Sequence, residues 1–311
     1  MRRILRGLIP ASLLLLPVVS EAQSSKVTSV EKVVDGVWMA QTDQGVNAGW
    51  ILVGDEVIAV DAGNDEATAK VLLEKIKETA GKPVRYLVIT HAHGDHAGGA
   101  SVFVAAGAQI VCSENAAPAL APFVAAGPRL SMLAFSERFA MFSAKQRVAI
   151  YFLGAAHSAG DIVVLLPDQK VLFSGDIVLG KRIPYMQATD VNPKGWENVL
   201  ARLMQLDVDK VVPGHGTLGT RQAIGDTLGY VKKVNELAQL FLSENVNETL
   251  IEARLRRPDT GVETAAVTPE LIANIRAVMR ADKAKPGAAP APQPPKAPSP
   301  QPTKAPAGKK N

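Results

Sequence analysis

Residues His91-Ala92-His93-Gly94-Asp95-His96 place three imidazoles and a carboxylate within six positions. Neutral imidazole and carboxylate are the nitrogen and oxygen ligands that Zn²⁺ prefers. The i, i+2 spacing of His91 and His93 lets both rings converge on one ion from a tight loop. Asp95 and His96 then face another way and are free for a second ion. Gly94, Gly98 and Gly99 are expected to let the backbone turn sharply between ligands.

Composition favours a metal site over a polar surface loop. The chain has five histidines, and three of them sit in this loop. The other two, His157 and His215, lie in the turn-like contexts Ala156-His157-Ser158-Ala159-Gly160 and Pro213-Gly214-His215-Gly216. No histidine is left for ordinary surface or core duty. The single cysteine, Cys112, excludes an internal disulfide. It lies in an apolar run and reads as a buried strand residue, since a reactive thiol needs an exposed, electropositive setting.

Taken in order, His-x-His-x-Asp-His, a lone His157, Gly175-Asp176 after an apolar strand and Gly214-His215 resemble the metallo-β-lactamase superfamily. The resemblance runs over about residues 27–216. It implies a first metal site of His91, His93 and His157, and a second of Asp95, His96 and His215. Asp176 matches the position that bridges both ions in glyoxalase-II-like members. Asp61 matches an aspartate that steadies the metal loop. The resemblance further implies a binuclear zinc hydrolase in which a metal-bound hydroxide, oriented by Asp95, attacks a carbonyl carbon. With two Zn²⁺, two carboxylates and hydroxide, such a site keeps one positive charge and suits an oxyanion.

Departures from the pattern narrow the activity. Dedicated lactamases of the superfamily usually carry Cys or Ser where this chain has Asp176. The di-iron flavoprotein members carry Glu where it has His93. Nucleic-acid-processing members carry an extra domain, and none fits between Gly160 and His215. The expected substrate is a small cyclic amide, ester or thioester, as in β-lactam hydrolysis. The alternatives are a glyoxalase-II-like thioesterase or lactonase, or a non-catalytic accessory metalloprotein of an exported quinoprotein or redox system. Lys181, Arg182 and Tyr185 follow Asp176 closely and are candidates to meet a substrate carboxylate or to be plain loop residues.

These side chains need strands to carry them. Residues 84–90 form an apolar run that reads as a buried strand ending at the metal loop. Residues 147–153 read as a strand ending near His157, and 161–166 with 170–174 as a hairpin that delivers Asp176. Residues 208–212 read as the strand before His215. Earlier, 27–41 suggests one or two strands turning at Asp35-Gly36, and 46–53 with 57–60 a hairpin around Gly54-Asp55. Asn64 or Asp65 is placed to cap a helix whose stripe is Ala69, Leu72, Leu73 and Ile76. Gly81 and Pro83 stop it. A short helix over 100–106 and a strand over 109–112 follow. Residues 114–126 read as an irregular helix, and 127–146 as a flap over the site or a connector packed on the core. Trp196, Val199, Leu200, Leu203 and Met204 give 193–206 an apolar face. Further helices are expected over 220–245 and 269–281. The resulting fold class is α/β, the four-layer αβ/βα sandwich that the resemblance implies.

The formal net charge is +4. Six lysines and no acidic residue lie from residue 283 on, and residues 1–22 hold three arginines and one glutamate, so residues 23–282 carry −4. A mildly acidic body gives no electrostatic footprint for nucleic acid. Residues 1–22 have the build of a secretory signal peptide: Arg2, Arg3 and Arg6, a proline-broken apolar stretch, then Ser20-Glu21-Ala22. Export, with a periplasmic location and no stable membrane insertion, is therefore expected. The catalytic domain is placed at 23–282, with C-terminal helices over 219–282. Residues 283–311 are rich in Pro, Ala and Lys, cannot bury a core and are expected to be disordered. At most they make weak contact with an anionic polymer. The expected partner of the domain is a small-molecule substrate.

Overall fold

The structure, a computed structural model, describes residues 26–124, 132–143 and 146–284. The segments expected to be a signal peptide and a disordered tail lie outside the described residues.

Apolar strands, several of them buried on both faces, build two sheets. The first contains β1 (Val27–Val34), β2 (Val37–Thr42), β3 (Asn47–Val53), β4 (Glu56–Val60), β5 (Val84–Val88), β6 (Gln109–Ser113) and β7 (Met132–Phe135), in that spatial order. Its first four strands are antiparallel, and β4 to β7 run parallel. The second contains β8 (Arg138–Phe142), β9 (Arg147–Phe152), β10 (Ile162–Leu166), β11 (Val171–Gly175) and β12 (Lys210–Pro213), in the order β12-β11-β10-β9-β8. Only β11 and β12 pair in parallel there.

Period-two side-chain alternation then assigns each residue to a layer. On β4, Ile58 and Val60 join Ile51, Val88, Val111, Val164 and Phe173 between the sheets. Val57 and Ala59 face outward with Leu87 and Cys112. On β10 and β11, Val163, Leu165 and Leu172 point to the opposite outer face. Helices α1 (Glu66–Ala80), α2 (Gly94–Ala97), α3 (Ala100–Ala105) and α4 (Ala117–Leu120) follow strands of the first sheet. Residues of α1, α3 and α4 cover its outer face. Helices α5 (Pro193–Leu203), α6 (Arg221–Ser243), α7 (Ile251–Leu255) and α8 (Pro269–Ala284) cover the second sheet. The molecule is the expected four-layer αβ/βα sandwich.

Local chemistry sets the boundaries. Asp65 caps α1 by accepting from the Thr68 N–H at 2.7 Å. Gly81 ends it in the left-handed region at φ 63°, which a Cβ would disfavour. Cys112 is buried and free, and burial pushes its thiol up to about 11. It is a core residue, as its apolar run implies. Among the described residues no helix is long and apolar enough to cross a membrane.

Two expectations need correction. The helix expected over 114–126 shrinks to α4 and a 3₁₀ turn at Ala121–Phe123. Pro118 and Pro122 each remove a donor that a continuous helix would need. The described part of 127–146 is no flap. It forms β7 and β8, the edge strands of the two sheets. Each is half exposed, which explains why Met132, Phe135, Phe139, Met141 and Phe142 show no clean helical period.

Candidate metal centre

The loop after β5 works because the backbone changes period inside it. His91 and His93 sit on extended backbone, and His93 then caps α2 at φ −69°, ψ 146°. Asp95 and His96 fall on the first turn of α2, turned away from the preceding pair. Gly98 and Gly99 serve close approach rather than a special turn. Gly98 is in ordinary helical conformation at φ −59°. A Cβ there would stand 2.1 Å from the Asn64 carbonyl oxygen, and one at Gly99 2.4 Å from that of Ala62.

Asp61 fixes this loop from below. It is itself in the left-handed region, φ 62°, where a side chain costs about 1–2 kcal/mol. Its carboxylate recovers that cost through three bonds. It accepts from the Thr90 N–H at 2.8 Å, the Thr90 hydroxyl at 2.9 Å and His96 Nδ1 at 2.8 Å. With its proton given to Asp61, the Thr90 hydroxyl accepts from His91 Nδ1 at 3.1 Å. One carboxylate thus orients two imidazoles, and both present Nε2 to the cluster.

His157 follows β9 and is held by Asp161. The Asp161 carboxylate accepts from the Ala156 N–H at 3.1 Å, the Ser158 N–H at 2.7 Å and the Ser158 hydroxyl at 2.8 Å. Burial raises Asp161 to about 7, against the pull of those donors. The His157 ring lies edge-on to Trp196 at 5.3 Å. Asp176 comes off the end of β11, and His215 off the end of β12. Asn47, at the start of β3, grips the His215 loop: its Nδ2 donates to the Pro213 and Gly216 carbonyls, each at 2.9 Å.

The side chains converge. His93 Nδ1 stands 3.0 Å from His157 Nε2. His91, His93 and His157 have donor atoms within 4.8 Å of one another. So do Asp95, His96 and His215, and so do His91, His96 and Asp176. Asp176 sits between the two histidine sets. Its Oδ1 is 3.2 Å from His96 Nε2, and its Oδ2 is 3.4 Å from both His157 Nε2 and His215 Nε2. His215 Nε2 also lies 3.2 Å from Asp95 Oδ2.

All seven residues expected as ligands therefore meet in one place. His91 Nε2 is buried with no hydrogen-bond partner, the condition of an atom reserved for an ion. The donor set, imidazole nitrogens and carboxylate oxygens, is one that suits a divalent metal ion such as zinc.

The electrostatics differ between the two sets. Burial holds His91 well below the usual imidazole range and His157 at about 4. Burial opposes protonation of His96 and His215 too, but carboxylates outweigh it. Asp176 and Asp61 raise His96 well above its ordinary value, and Asp176 and Asp95 raise His215 to about 9. Asp176 is pushed up by burial, yet His96 and His215 bring it well below the ordinary carboxylate range. Asp95 is lowered on the same balance, chiefly by His215 after burial is overcome.

Of the loop residues considered beside Asp176, Arg182 reaches the centre, with Nη1 3.2 Å from His215 Nδ1. Lys181 and Tyr185 stay exposed and make no hydrogen bond or ion pair with the cluster. The sequence pattern did not single out Thr90 and Asp161, which orient ligand side chains and their loops. The pattern Ser158-x-x-Asp161 just after His157 was the one readable trace.

The fold and the His/Asp cluster that could hold metal define a metallo-hydrolase architecture. The family model described as the metallo-beta-lactamase superfamily matches residues 42–215. The chain belongs to that superfamily. It is 25% identical over 226 residues to "Metallo-beta-lactamase type 2" of Elizabethkingia meningoseptica, covering 69% of this chain and 89% of that protein. It is 26% identical over 224 residues to "Beta-lactamase-like protein 2 homolog" of Drosophila melanogaster, covering 68% and 73%. Among solved structures it resembles a metallo-beta-lactamase from Pontibacter korlensis, with TM-score 0.58, 28% identity, and 66% and 98% of the two chains covered. The fold is also similar to that of FIM-1 from Pseudomonas aeruginosa in its mono-zinc form, with TM-score 0.59, 23% identity, and 68% and 98% covered.

Proposed function

We propose that the protein is an exported hydrolase that holds two zinc ions and cleaves a small cyclic amide, ester or thioester. The observation that carries this reading is the convergence of seven donor side chains with the Asp176 carboxylate between the two histidine sets. His91, His93 and His157 would hold the first ion, and Asp95, His96 and His215 the second, with Asp176 shared. Bound zinc supplies Lewis acidity and lowers the pKa of water to about 7.

The chain's own groups do the rest. Asp95 is about a third exposed and held ionised, so it can orient water at the mouth of the site as a hydrogen-bond acceptor. Asp61 and Asp161 hold the ligands still. Arg182 lends positive charge at the rim beside His215. No serine or cysteine nucleophile is needed, and Cys112 is too deep to act as one.

Asp176 favours a second reading within the same chemistry, a glyoxalase-II-like thioesterase or lactonase, because its carboxylate contacts imidazoles of both sites. A non-catalytic accessory role in an exported redox system is disfavoured by the intact donor set. Export rests on residues 1–22, and with it a periplasmic location and a small-molecule rather than nucleic-acid substrate.

The test is turnover of a chromogenic β-lactam, a lactone and a thioester, each with and without chelator. Chelator-sensitive hydrolysis of at least one supports the proposal. A zinc-loaded protein inert to all three would move the reading to the accessory role.

A further inference from the structure

The outer ring nitrogen of His93 faces a residue from outside the metal loop and the strand before it. His91 is oriented by Thr90. The His157 loop is held by Asp161. His93 Nδ1 points to His157 Nε2 at 3.0 Å, so its Nε2 points outward. There it meets Asp190 Oδ1 at 3.5 Å.

Several observations make that meeting more than a surface contact. Asp190 pairs with no lysine or arginine among the described residues, so no competing cation draws its carboxylate away. Its backbone is pinned beside the site. The Asn192 N–H donates to the Ala156 carbonyl at 2.8 Å, next to His157, and the Val191 N–H to that of Ala188 at 3.4 Å. Asn192 then caps α5 by accepting from the Gly195 N–H. The segment carrying Asp190 is therefore registered against the loop carrying His157. An imidazole that binds metal through Nδ1 carries its proton on Nε2, and a carboxylate facing that proton fixes the tautomer and raises ligand basicity.

We infer that Asp190 is a positioning residue of the first metal site, taking the His93 Nε2–H and so holding Nδ1 towards the ion. The inference rests on reading His91, His93 and His157 as a metal site. The contact links a segment that follows Asp176 by many residues to a ligand of the His-x-His motif. It gives the first site a carboxylate partner as Asp61 gives one to the second.

The experiment uses the full-length protein and its Asp190→Asn and Asp190→Ala variants. Asp190 is about two-fifths exposed, so neither change threatens the core. Zinc dissociation constants are measured by competition with a chromophoric chelator, and cobalt-loaded forms are compared by visible absorption. Asp190→Ala is expected to weaken the tighter zinc step 10–100-fold, the range typical for a lost outer carboxylate, and to alter the cobalt bands. Asp190→Asn keeps an acceptor oxygen and is expected to fall between Ala and wild type. Unchanged zinc affinity and cobalt spectra in both variants would overturn the inference, even with altered turnover, since Asp190 would then act on substrate. Wild type that binds no zinc or cobalt would instead sink the metal-site reading itself.

Discussion

Asp176 touches imidazoles from both histidine sets, so both depend on its charge. In Asp176→Asn the shape stays and the negative charge goes, leaving the two dications proposed for the site with less to offset their repulsion. Zinc content should fall from two ions towards one. Turnover should drop at least ~10²-fold, the scale on which lost charge stabilisation is felt. Elemental analysis with a rate assay checks this, and two zincs with a near-normal rate would reduce Asp176 to a turn residue. The pKa shifts separate the two sets in a testable way. His91 and His157 are kept neutral by burial, His157 down to about 4. His96 and His215 are raised by carboxylates, His215 to about 9. A ligand must lose its proton to bind metal. At pH 7 the first ion should therefore bind with little proton release, and the second with release of about two protons. Second-site affinity should then rise with pH through the range around 9 in which His215 gives up its proton unaided. Calorimetry in buffers of different ionisation enthalpy reads both steps, and equal proton release in each would contradict the assignment. The same shift bears on stability. His157 has a folded pKa below the ordinary 6.5, so the unfolded chain binds the proton first. The metal-free protein should lose His157's contribution as pH falls from about 6.5 to about 4, by the linkage of proton binding to unfolding. At this scale the ligands were legible because histidine is scarce in the chain and clustered. Asp190 and Thr90 were not, because an ordinary aspartate or threonine gives no signal until the fold brings it to an imidazole.

Each ligand follows the end of a strand, directly or, for Asp95 and His96, on the first turn of α2, and the ends meet because β5 of one sheet and β9, β11 and β12 of the other finish on the same edge of the sandwich. That arrangement needs backbone to pass backbone closely. At Gly214 a Cβ would stand 1.9 Å from Asp176 Oδ1 and 2.8 Å from the Asp176 nitrogen. Neither neighbour is the free end of a flexible chain, so something must move. Gly214→Ala should displace the Asp176 carboxylate or the His215 loop, lower the affinity of the second metal by at least tenfold, and leave the far α-helical layer folded. Zinc titration alongside circular dichroism distinguishes these effects, and unaltered metal binding would show that the loop relaxes without cost. The strands themselves were legible in sequence because short apolar runs bounded by turn residues mark buried strands. β7 and β8 were not, since edge strands bury only part of each face and their aromatic residues mimic a connector. The helix expected over 114–126 failed for a different reason. Its composition suited a helix, but two prolines within it deny the backbone its donors.

At the scale of the whole molecule, the matched family residues end at His215, yet α6 and α8 beyond them close the core over the second sheet. They also reach the site. Asn274 on α8 is buried, and its Nδ2 donates to the Pro184 carbonyl at 2.7 Å and to the Tyr230 hydroxyl at 3.0 Å. Its Oδ1 accepts from the Met186 N–H at 3.1 Å. Pro184 and Met186 lie midway along the segment that brings Arg182 to His215 at one end and Asp190 to His93 at the other. The C-terminal layer therefore holds the wall of the metal centre from behind. Asn274→Leu keeps the volume but strands a buried N–H and a buried carbonyl, each worth about 1–3 kcal/mol when unsatisfied. Stability should fall by about 2–4 kcal/mol, read as a lower midpoint in denaturant with an unchanged slope. If the wall positions the rim, the Michaelis constant for a charged substrate should rise several-fold under conditions where the variant is fully folded. The turnover number should change less, because the seven ligands are anchored by other bonds. A stability loss with unaltered Michaelis constant would confine Asn274 to packing. A loss of both metals would instead mean that the wall, and not Asp61 and Asp161, is what holds the histidines in place.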